Sequence, residues 1–111
     1  MKKTVVKRDE ALKRTFKGVS LDTLAVGEKS MVTKMNYKAG DFASTHNHPH
    51  EQCGYVVSGR YRLIVEAPCD IDTFLTAGDS YAIPGGVDHS FEVVEGGEVV
   101  DVFTPHREDY L

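Results

Sequence analysis

With 111 residues, 41% of them apolar, the chain has material for one hydrophobic core and no length for a second module, so a single domain over residues 1–111 is expected. The formal net charge is −4 and Lys and Arg are scattered, which argues against a nucleic-acid or anionic-membrane surface, since either needs a basic patch. No apolar run reaches the length of a membrane span, and the basic start Met1-Lys2-Lys3 lacks the apolar stretch of a signal peptide, so a cytosolic protein is expected.

In chain order, Lys2, Lys3, Lys7 and Arg8, broken by Asp9 and Glu10, read as a solvated N-terminal face. Residues 8–15 are the one stretch that could support a short helix. From Met31 the pattern is that of strands: Met31, Met35 and Tyr37 fall on one side of an alternating run. Tyr61, Leu63 and Val65 alternate with Arg60, Arg62 and Glu66; Phe91 and Val93 follow His89 at strand spacing; Val99, Asp101 and Phe103 share a face. Turn signals punctuate these runs at Val26-Gly27, Ala39-Gly40, Ser58-Gly59, Ala67-Pro68, Ala77-Gly78, Pro84-Gly85-Gly86 and Gly96-Gly97. Short strands separated by regular turns predict an all-β antiparallel sandwich or barrel.

The chemistry is concentrated in Thr45-His46-Asn47-His48-Pro49-His50-Glu51-Gln52. Two histidines spaced by two on a strand project from one face, and neutral imidazole is the commonest metal ligand. The amide oxygen of Gln52 is a harder ligand, and Pro49 should bend the chain and return Gln52 toward the pair. His50 is either a partner that orients a ligand or an exposed side chain. His89 follows a Gly- and Pro-rich entry, Gly78 to Gly86, into a strand. A lone histidine there is usually a core residue, but the first cluster still needs a ligand, which favours metal binding. Cys53 and Cys69 are expected as free thiols, Cys53 turned away from the face of its neighbour Gln52.

Gly40, His46-x-His48, Gln52 and Gly59 at these spacings, followed by Gly78 through His89, resemble the two motifs of the cupin superfamily. Gln52 stands where most members carry Glu, and Val93 where the second motif carries Asn. The resemblance implies a cupin fold (a double-stranded β-helix, jelly-roll-like barrel) and one divalent ion, Ni, Zn, Mn or Fe, on His46, His48, Gln52 and His89. It also implies a homodimer. The run His46 to Gln52 and the tail Asp101 to Leu111 are similar to the KdgF family of pectin-degradation proteins. His106 departs from that family's tail, where a second Pro is usual. That family converts 4,5-unsaturated uronate monosaccharides, a small sugar-acid substrate, to linear keto sugars. Its catalytic Asp matches Asp101, and its substrate-contacting Phe and Arg match Phe103 and Arg107.

The residues fit that chemistry on their own terms. Opening the ring of an unsaturated uronate removes a hydroxyl proton and leaves an enolate beside the carboxylate, which a divalent cation can stabilise. Asp101 lies in an otherwise apolar alternation, where desolvation would raise its pKa and suit it to proton transfer; a rim ion pair is the alternative. Arg107 offers a planar fork for a carboxylate, or is simply a charged tail residue. Phe103 can stack on a sugar. These three side chains should line the same cavity as the metal ligands. A metal-dependent dioxygenase and a non-catalytic small-ligand-binding protein remain as alternative functions.

Overall fold

The computed structural model describes residues 3–111. Two antiparallel sheets face each other. The strands, in chain order, are β1 (Leu12–Phe16), β2 (Val19–Val26), β3 (Met31–Tyr37), β4 (Phe42–His46), β5 (Glu51–Val56), β6 (Arg60–Val65), β7 (Ile71–Leu75), β8 (Ser80–Ile83), β9 (His89–Glu95) and β10 (Gly97–Thr104). One sheet has the order β1-β2-β3-β10-β5-β8 and the other β4-β9-β6-β7. Among the described residues no helix is long and apolar enough to cross a membrane.

The turn signals named above fall at strand junctions, because Gly and Pro supply the backbone angles that reversals need. The helix expected over residues 8–15 is not formed. A single 3-10 turn spans Arg8–Glu10, and Leu12–Phe16 is a strand instead. The cause is a turn signal one pair further on. Lys17 and Gly18 both adopt positive φ, 49° and 82°, in a two-residue turn whose twist suits a hairpin and brings Phe16 opposite Val19. The backbone groups of Leu12–Phe16 are therefore committed to β2.

The inner face of the larger sheet is built in rows across strands. Leu21, Met35, Val99 and Val56 form one row; Thr23, Thr33, Asp101, Gly54 and Tyr81 the next; Met31, Phe103, Gln52 and Ile83 a third. The alternation of β10 thus buries Val99, Asp101 and Phe103 together, as expected. Opposite them, Tyr61 stacks on Phe91 with ring centroids 5.1 Å apart, and Tyr37 closes on both. This aromatic cluster fills the interior between the sheets. Apolar burial of this kind supplies most of the drive to fold.

Candidate metal centre and ligand cavity

His46 ends β4 and sits directly opposite His89, which opens β9. The two imidazoles are therefore placed by strand register, with ring centroids 4.4 Å apart. His48 is not on the strand with His46 but in the loop that leads to β5. What holds it is a brace between two loops. The Gly86 N–H donates to the His48 carbonyl at 2.8 Å, and the Asn47 amide donates to Asp88 at 2.7 Å. At Gly85 a side chain would strike the Pro49 carbonyl, so the glycine-rich entry to β9 packs flush against the histidine loop.

Each of the three rings is oriented from behind. The Nδ1–H groups of His46, His48 and His89 donate to the carbonyls of Ser44, His50 and Val87 at 2.7, 3.0 and 2.9 Å. In a neutral ring so held, Nδ1 carries the one proton and Nε2 is the lone pair, the tautomer a metal requires. Potential ligand atoms of the three histidines all lie within 4.8 Å of one another, so modest ring rotations suffice to close on one ion. Burial, then the positive charges of Arg107 and His89, lowers the His48 pKa to about 4; burial lowers His89 as well. Both rings are therefore neutral at neutral pH, as ligands must be. These observations fit a divalent ion of borderline hardness.

Gln52 joins the trio from the other sheet. Its Oε1 lies 3.2 Å from His48 Nε2, while its amide N–H donates to Asp101. Asp101 thus fixes which way the amide points. The Tyr81 hydroxyl donates to Oδ1 of the same carboxyl at 2.5 Å. Tyr81 reaches Asp101 by lying across Gly54, where any β-carbon would collide with the phenol ring. Burial pushes the Asp101 carboxyl up to about 6, against the pull of Tyr81, Gln52 and the charge of Arg107.

Gly54 and Tyr81 escaped the sequence reading, although a glycine inside a strand between Cys53 and Tyr55 is itself a signal of close approach. Gly54→Ala should force the Tyr81 ring off Asp101 and cost about 1–3 kcal/mol by overpacking. Urea denaturation measures that cost, and an unchanged midpoint would show that Tyr81 yields without loss.

A half-open cavity of about 960 Å³ borders the histidines and is lined by His46, His48, His50, Arg107, Asp109 and Tyr110 among others. Of the three residues expected on its wall, Arg107 is there. Phe103 is 1% exposed and lies behind, its ring edge-on to His48 and His50 at centroid separations of 6.0 and 6.5 Å. Asp101, also 1% exposed, does not reach the wall, because Gln52 and Tyr81 enclose its carboxyl. His50 lines the cavity outside the histidine trio, and Cys53 and Cys69 are free thiols. The Arg107 guanidinium lies 4.0 Å from the centre of the Tyr110 ring and 5.2 Å from that of Phe103. Its fork is engaged by Asp109, a residue that no periodicity in the tail marks out.

A protein-family model described as "Cupin domain" matches residues 33–104. The chain is 26% identical over 96 residues to the pectin degradation protein KdgF of Dickeya dadantii, covering 85% of this chain and 84% of that one. Among solved structures, an RmlC-like cupin from Shewanella frigidimarina superposes with a TM-score of 0.87 at 29% identity, covering 98% and 96% of the two chains. KdgF from Halomonas sp. superposes with a TM-score of 0.85 at 26% identity, covering 97% and 100%.

Proposed function

The chain belongs to the cupin domain family, and on that premise we propose that it is a metal-dependent enzyme that opens the ring of 4,5-unsaturated uronate monosaccharides to give linear keto sugars. The observation that carries this reading is the convergence of three imidazoles beside a cavity that also presents a guanidinium. The relative named as a pectin degradation protein, and the similarity to a second KdgF, support the substrate class.

His46, His48, His89 and Gln52 would hold the divalent ion, which when bound supplies positive charge against the negative charge that develops on substrate oxygens. Arg107 binds the uronate carboxylate, and its aromatic neighbours limit its rotation so that little freedom is lost on binding. Phe103 supports His48 and Arg107 from behind and keeps water from the floor of the site. Asp101, whose carboxyl stands behind Gln52 and Tyr81, is the buried group assigned to accept the proton of the anomeric hydroxyl, reached when the Gln52 amide shifts off it. Loss of that proton lets the bond between the anomeric carbon and the ring oxygen break, leaving an aldehyde and an enolate. The proton then returns to the alkene carbon, giving the ketone, so the reaction is a net isomerisation with no oxidant.

Metal-loaded protein incubated anaerobically with unsaturated galacturonate should abolish the absorbance of the conjugated alkene. No loss of absorbance would overturn the reading and leave a binding protein. Loss that required oxygen would identify an oxygenase.

A further inference from the structure

The geometry points to Asp109 as a specificity residue: we propose that its carboxylate occupies the Arg107 fork as an internal stand-in, which excludes simple carboxylates and yields only to an acid that also engages the histidine trio. The inference rests on the reading of Arg107 as the carboxylate partner and adds what controls access to it.

Arg107 donates to Asp109 through two parallel bonds, Nε to Oδ1 at 3.2 Å and Nη2 to Oδ2 at 2.8 Å. This is the two-pronged geometry by which a guanidinium recognises a free carboxylate. The two partners differ in exposure. The Arg107 side chain is 10% exposed, held beneath Phe16, Phe103 and Tyr110, whereas that of Asp109 is 40% exposed on the cavity wall. The guanidinium is therefore fixed and the carboxylate is the partner free to leave. Residues 108–110 form one short 3-10 turn, so side-chain rotation of Asp109 is enough to clear the fork.

An attached carboxylate competes at an effective concentration on the order of millimolar or more. A monocarboxylate with no other contact cannot win against that at comparable concentrations. A sugar acid whose further oxygens reach the histidine trio gains a second set of contacts and can. Asp109 thus converts a general anion site into one that reads two features of its ligand together.

The test is isothermal titration calorimetry on the metal-loaded protein with acetate, D-galacturonate and D-galactose. Asp109→Asn and Asp109→Ala should both tighten galacturonate by about 3–10-fold and make acetate binding detectable at millimolar concentration. Galactose, having no carboxylate, should not change. Adding Arg107→Ala to Asp109→Asn should abolish the gain. Weaker galacturonate binding in both single variants would make Asp109 an orienting support for Arg107 and overturn the proposal, as would a gain that survived Arg107→Ala. Because binding of a saturated sugar acid is read without turnover, failure of the ring-opening assay leaves this result interpretable.

Discussion

Asp101→Asn should lower turnover of unsaturated galacturonate by about 10²–10⁴-fold while the protein keeps its metal. The substitution preserves shape but removes the acceptor for the proton. Asp101 is also the group that receives the Gln52 amide and the Tyr81 hydroxyl. An asparagine nitrogen in either place would face a donor, at a cost of about 1–3 kcal/mol in stability. Metal content and activity measured on the same sample separate the two roles. Loss of turnover with full metal supports proton transfer. Loss of metal and turnover together would reduce Asp101 to the residue that aims Gln52. Full activity would remove it from the mechanism.

His48→Ala should abolish metal binding and turnover together. His46 and His89 are fixed by strand register, but two imidazoles and one amide oxygen would hold an ion far less well than the full set with His48. A ligand that binds only the folded chain stabilises it by about 2.7 kcal/mol at a hundredfold excess over its dissociation constant. For a chain of this size that is a rise in melting temperature on the order of 10 °C or more. Calorimetry with and without a chelator should show that rise in the parent protein and none in the variant. A variant that retained stoichiometric metal and a chelator-sensitive melting temperature would exclude His48 from the site.

Much of the architecture is legible in residue order because strands advertise themselves by alternation. Val99, Asp101 and Phe103 face inward together, and one polar residue in that row stands out in the sequence itself. The failures have physical causes too. Leu12–Phe16 lies at a sheet edge with its first four residues exposed, so it carries no alternation to separate it from a helix. Its identity as a strand is set by Lys17-Gly18, where a lysine takes a backbone conformation that composition alone does not announce. His48 also departs from the expected placement, since a spacing of two implies a shared face only while the strand continues. Here β4 has already ended, and cross-loop bonds to Gly86 and Asp88 do the aiming. The Gly54–Tyr81–Asp101 contact depends on the register of three strands. No single stretch of sequence contains that information.

The last turn of the chain has a second duty that follows from where Tyr110 sits. Its ring is 6% exposed, wedged edge-on against Phe16 at 5.2 Å and Phe103 at 5.5 Å, and its carbonyl accepts a hydrogen bond from the Thr23 hydroxyl. The segment that places Arg107 and Asp109 on the cavity wall is therefore also a cork in one mouth of the sandwich. Replacing Tyr110 by alanine would remove an aromatic side chain worth about 3–5 kcal/mol of core packing in the same stroke as it freed Arg107 from its seat. Selection on recognition and selection on durability fall on one short stretch, so neither property can drift there without the other.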